Sequence, residues 1–78
     1  MHRSRIEIMR AILSRLDQED ARKTPIVYAL ILNFKIAGEL LEVLVSRGFV
    51  ARNGWSYYLT STGRDLLERL DRIWRDLE

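Results

Sequence analysis

Residues 48–60 read Gly48-Phe49-Val50-Ala51-Arg52-Asn53-Gly54-Trp55-Ser56-Tyr57-Tyr58-Leu59-Thr60, and this stretch decides the fold. Two aromatic and β-branched runs, Phe49 to Arg52 and Trp55 to Leu59, flank Asn53-Gly54. An Asn-Gly pair between such runs is the strongest short-range hairpin signal, because both residues tolerate the positive φ that a tight turn demands. The spacing therefore predicts a two-stranded β-hairpin. Gly48 suits a left-handed helix C-cap and Thr60 suits a helix N-cap, so the hairpin is bracketed by helices.

Working upstream, Phe34 to Arg47 places Phe34, Ala37, Leu40, Leu41, Leu44 and Val45 on one side of a helix, with Lys35, Glu39, Glu42 and Ser46 on the other. Asn33 is its expected N-cap. Before it, Thr24-Pro25 marks the start of a short helix through Ile26, Val27 and Tyr28, with threonine as cap and proline in the first helical position. The polar segment Asp17 to Lys23 reads as a loop. From about Arg3 to Leu16, Ile6, Met9, Ile12, Leu13 and Leu16 recur at helical spacing opposite Glu7, Arg10, Ala11 and Ser14. Downstream of Thr60, Leu66, Leu67, Leu70, Ile73, Trp74 and Leu77 form an amphipathic stripe. The outer face of that helix offers Asp65/Arg69, Glu68/Arg72 and Asp71/Arg75 as i,i+4 pairs, each worth about 0.2–0.5 kcal/mol.

The order helix, short helix, helix, hairpin, helix is that of a winged helix-turn-helix. The fold class expected is α+β and mostly helical: three helices, a two-stranded wing and a C-terminal amphipathic helix. Residues 1–60 make the core and 61–78 the helix expected to pack and dimerise.

At 78 residues the chain has room for one domain, whose core leaves a thin stability margin. There is no cysteine to form a disulfide, and the single histidine, His2, has no thiolate to join it in a closed metal site, so neither metal nor cofactor is expected. Association with a second copy is the remaining supplement. A hydrophobic fraction of 47% and a charged fraction of 31% are those of a soluble protein. No apolar run approaches the ~20 residues of a membrane span, and no secretory leader is visible at the start. A cytoplasmic, nucleoid-associated location is expected. The net charge is only +2, with the excess of base lying before residue 61, mainly in Arg3, Arg5, Arg22, Lys23 and Arg52. Such a balance suits a polyanion without requiring one.

Arg5-Ile6-Glu7-Ile8, Ala21 to Tyr28, then Gly38, Leu41 and Leu44, Arg47-Gly48-Phe49-Val50, and Tyr57-Tyr58-Leu59-Thr60 with Gly63 resemble the archaeal ArnR-like winged-helix family. The likeness spans Arg3 to Leu70. It implies a small regulator or chromatin-associated protein that binds double-stranded DNA, often as a homodimer through its terminal helix.

Candidate contacts follow. Arg22, Lys23 and Thr24 lie at a helix N-terminus, where free amides and the dipole favour a phosphate. Arg52 and Asn53 are at the wing tip, where one arginine suffices for a counterion-releasing contact. Lys35, Glu39 and Ser46 lie on the outer face of the third helix, which would address the groove, although Glu39 and Glu42 give that face more acid than base. Arg3 and Arg5 could form a basic arm. Trp55, Tyr57 and Tyr58 could stack on bases, but alternation in a hairpin with some plugging the core is the plainer reading. Leu70, Ile73, Trp74 and Leu77, on the projecting end of the last helix, are the expected two-fold contact. With no nucleophile or acid-base pair in an apolar setting, an enzyme is not expected. The alternative to DNA binding is a protein-interaction winged helix docking through the acidic third helix and Trp74.

Overall fold

The computed structural model describes residues 4–77, so His2 and Arg3, the latter one half of the expected basic arm and the expected start of the first helix, lie outside the described residues, whereas Arg5, the other half of that arm, is the first residue of a helix. α1 spans Arg5–Gln18 and is capped by Ser4, whose Oγ accepts the Glu7 amide at 3.1 Å. Ile12, Leu13 and Leu16 on its inner face are buried, as the spacing predicts.

The segment read as a loop contains a strand. Ala21–Arg22 form β1, and α2 follows directly over Lys23–Leu30. Arg22, with an extended backbone and no side-chain bond, is therefore the N-cap of α2, and Thr24 sits inside the first turn rather than capping it. Pro25 is tolerated because the first amides of a helix have no intrahelical acceptor.

α2 ends in an unusual way. The Leu32 amide donates to the Val27 carbonyl at 3.0 Å and the Ile31 amide to the Tyr28 carbonyl at 3.3 Å, a Schellman closure. The left-handed position is filled by Ile31 (φ 53°, ψ 52°), where glycine is normal, and its side chain is 92% exposed. α3, Phe34–Ser46, begins at Asn33, whose Oδ1 accepts the Lys35 and Ile36 amides at 2.9 and 3.2 Å. It closes with the same motif, the Phe49 amide reaching Leu44 O and the Gly48 amide reaching Val45 O, both at 3.0 Å, with Gly48 at φ 79°.

β2 (Val50–Asn53) and β3 (Ser56–Leu59) pair with Val50 opposite Leu59 and Asn53 opposite Ser56. The two-residue turn is thus Gly54-Trp55 rather than Asn53-Gly54. Gly54 has φ 62° and Trp55 is not at positive φ, the type II′ pattern, in which glycine is demanded only at the first central position. That shift of one residue takes Trp55 out of the strand. β1 pairs antiparallel with the far side of β3, Ala21 opposite Tyr57 and Arg22 opposite Ser56, so the sheet has three strands in the order β1-β3-β2 where two were expected.

Thr60 caps α4 (Ser61–Leu77), as expected: its Oγ1 accepts the Gly63 amide at 3.0 Å, while its hydroxyl lies 2.6 and 3.0 Å from the carbonyl oxygens of Gly48 and Phe49. α4 comes so close to that turn that a Cβ on Gly63 would stand 1.9 Å from the Phe49 carbonyl oxygen. Two ion pairs set α4 antiparallel to α1: Arg64 with Asp17 at 3.2 Å and Arg10 with Asp71 at 2.7 Å. Leu67 joins Ile12, Leu13, Leu40, Leu44 and Tyr57 in one buried core. The expected i,i+4 ion pairs along α4 do not close; Asp71 turns to Arg10 instead, leaving Arg75 to donate to the Asp71 carbonyl at 3.4 Å. Solvated i,i+4 pairs gain so little that one tertiary partner outweighs them.

Candidate nucleic-acid interface

The start of α2, the start of α3 and the wing enclose an open concavity of about 440 Å³ lined by Arg22, Lys23, Thr24, Phe34, Arg52, Trp55 and Tyr57. Sheet register brings these residues together. Tyr57 lies between Ala21 of β1 and Arg52 of β2, and Arg22 lies beside Ser56 and, across it, Asn53. Directly opposed residues share a face and successive ones alternate. Ala21 and Tyr57 are each 7% exposed and turn inward. Arg52, on their face but at the sheet edge, stays exposed with its guanidinium 5.5 Å from the Tyr57 ring centre. Arg22 approaches the concavity from the other face.

Lys23 is held differently. Its Nζ stands 3.8 Å from the Phe34 ring centre, and a Cβ on Gly38 would lie 2.6 Å from the same nitrogen. The absent side chain at Gly38 makes room for the ammonium against α3. Phe34, placed by its periodicity on the core face of α3, is instead 53% exposed: as the first residue of the helix it lies beyond the packed layer, with Lys23 over its ring.

Of the sequence-derived contacts, the structure brings Arg22, Lys23, Thr24 and Arg52 to one place and leaves Asn53 beside it on the wing, outside the lining. Lys35, Glu39 and Ser46 form a separate exposed stripe along α3, together with Glu42. The Ser46 hydroxyl is engaged with the Val43 carbonyl at 2.8 Å. The stripe and the wing meet where Arg52 pairs with Glu42 at 3.5 Å. With side chains 45% and 62% exposed, that pair contributes at most a fraction of a kcal/mol and is readily exchanged for a phosphate. Phe34 joins the concavity without having been singled out from sequence, and so does Trp55, weighed for base stacking but set aside for the plainer strand reading and here 77% exposed. Their signals were a tryptophan directly after the turn glycine and an aromatic at a helix start.

Trp74 does not project beyond the domain as expected. It is half-buried, with the Arg10 guanidinium 5.0 Å from its ring centre, because α4 folds back along α1. Ile73 (55% exposed) and Leu77 (81%) remain open on α4. They continue the line of Leu66 and Leu70, which with Ile6, Met9, Val43 and Phe49 border a mainly apolar cleft of about 320 Å³ that Arg5 and Arg47 also line.

Comparison with known proteins bears on this arrangement. The profile of the family described as winged helix-turn-helix matches residues 2–78. The chain belongs to the winged helix-turn-helix family. Among its relatives, the uncharacterized protein MJ0287 of the archaeon Methanocaldococcus jannaschii is 31% identical over 72 residues, covering 92% of this chain and 74% of that protein. The uncharacterized protein MJ0290 of the same organism is 30% identical over 73 residues, or 94% of this chain, but the chain spans only 35% of its length. Among solved structures, PigF with SAH superposes with a TM-score of 0.69 at 21% identity over 81% of this chain and 19% of that one, a likeness of fold alone. A winged helix-turn-helix domain is typically a non-enzymatic DNA-binding module. Among the described residues no cluster of metal-ligating side chains occurs, and no helix is long and apolar enough to cross a membrane.

Proposed function

We propose that this winged helix-turn-helix chain binds double-stranded DNA as a homodimer, as a transcriptional regulator or an architectural protein of the nucleoid, and that within its family it belongs with the archaeal ArnR-like proteins. One observation carries the reading: Arg22, Lys23 and Arg52, from three elements, line a single concavity between the helix pair and the wing, and among the described residues no carboxylate lines it, Glu42 meeting Arg52 only at the rim. Arg22 and Arg52 anchor phosphates, Lys23 adds charge at the α2 N-terminus, and the exposed stripe Lys35, Glu39, Ser46 faces the groove. Asn53 extends the contact along the wing.

The dimer rests on α4. Leu66, Leu70, Ile73 and Leu77 follow a four-three-four spacing, that of a coiled-coil seam; Leu66 and Leu70 are half-buried against the protomer's own core, where Leu67 is buried and Trp74 lies under Arg10, so Ile73 and Leu77 are the exposed half of the seam. A second α4 laid on that seam would cover Ile73 and Leu77.

Binding to random duplex DNA, followed by fluorescence anisotropy across a salt series, tests the mechanism. Three phosphate contacts per protomer give a slope of about −3 in log K against log salt for each protomer. Reversing the charge at Arg22, Lys23 and Arg52 together abolishes binding. Affinity that survives this substitution overturns the mechanism, and a protein silent toward DNA whose α3 stripe captures a protein points to the interaction module instead.

A further inference from the structure

The geometry points to a seat for an unpaired nucleobase in the concavity beneath the wing, so that the protein prefers DNA with a locally opened strand over a continuous duplex. This rests on the DNA-binding reading and deepens it. Paired, stacked bases present only their edges to a protein, so an exposed ring has no base face to meet on an intact duplex. Here two aromatic side chains stand open in one basic concavity. Trp55 is 77% exposed at the wing turn, and Phe34 is 53% exposed at the start of α3. Neither is spent on the core, which is closed by Tyr57 on the floor of the same cavity.

The cations stand where a flipped or single-stranded nucleotide needs them. Lys23 covers one face of Phe34 at 3.8 Å and leaves the other open, and Arg52 stands 5.5 Å from the buried Tyr57 ring, so both charges share the concavity with the open surfaces of Phe34 and Trp55. A basic groove with interleaved aromatics is the physical basis of single-strand binding, and stacking tolerates any base because every base has a π-face. The volume, about 440 Å³, is within the range of roughly 300–1,000 Å³ that small ligands occupy. Glu39 and Glu42 on the exposed stripe of α3 keep that helix from seating deeply between phosphate walls as it faces the groove, whereas among the described residues the concavity is lined by no carboxylate and meets one only at its rim, where Glu42 pairs with Arg52.

The test uses two short duplexes, one fully paired and one with an internal loop of unpaired thymines, each titrated at low salt into the full chain. The chain has two tryptophans, so Trp74→Phe leaves Trp55 as the sole reporter. The looped duplex is expected to bind about tenfold more tightly than the paired one and to quench Trp55 emission. In Phe34→Ala/Trp55→Ala the ratio of the two affinities should fall to one, with circular dichroism verifying the fold. Equal affinities in the parent protein, or a preference that survives the double substitution, overturn the base seat while leaving duplex binding intact. Failure to bind either duplex overturns both.

Discussion

Among the described residues Ile31 is the one non-glycine at positive φ. A β-branched side chain at φ 53° crowds its Cβ against the neighbouring carbonyl, at a cost of about 1–2 kcal/mol, and with 92% exposure it recovers nothing by burial. The Schellman bonds at the end of α2 are what hold it there. Ile31→Gly should therefore stabilise the fold by about 1 kcal/mol after the greater freedom of glycine in the unfolded chain is subtracted. A rise in the urea midpoint without a change in slope would show it, and an unchanged or lower midpoint would show that the turn is not strained. Gly48 fills the equivalent position after α3 without that cost.

Thr60 acts at the scale of elements. One hydroxyl caps α4 and at the same time faces the carbonyls that close α3 into β2, so it ties the terminal helix to the root of the wing. Thr60→Ala removes the cap and leaves those carbonyls short of a donor. The expected loss is about 1–2 kcal/mol by thermal or urea unfolding. Thr60→Ser, which retains the hydroxyl, should recover most of it. The close approach of Gly63 to Phe49 depends on the same junction, since any side chain there meets backbone rather than a movable group.

For the whole molecule, the question is what covers the open half of α4. Ile73 and Leu77 are already exposed in the protomer, so replacing both with glutamate removes nothing from its core. On the proposed two-fold contact the parent is expected to sediment as a dimer and Ile73→Glu/Leu77→Glu as a folded monomer, whose DNA affinity should be lower because two linked sites become one. A variant that stays dimeric would place the two-fold contact elsewhere. Changes at Trp74 should act differently: losing the ring beneath Arg10 loosens α4 from α1 and lowers stability rather than association alone.

Much of this architecture was legible along the chain because it is local. Helical spacing in α1 and α3, the Asn33 and Thr60 caps, the Gly48 stop and a hairpin about Gly54 depend on neighbours within a few residues, and α1, α3, β2 and β3 formed within two or three residues of where spacing put them. Arg22, Lys23, Thr24 and Arg52 could be picked out as basic or capping residues at element ends for the same reason. What sequence could not supply came from long-range pairing. Ala21 and Arg22 have no strand character of their own and become β1 only because Tyr57 and Ser56 offer an open edge. That pairing starts α2 two residues early and carries Arg22 to the wing. Phe34 lost its place in the core, Trp55 moved from strand to turn, and Trp74 found shelter under Arg10, each decided by which element lay across from it. Periodicity assigns a side chain to a face; only packing determines whether that face has a neighbour.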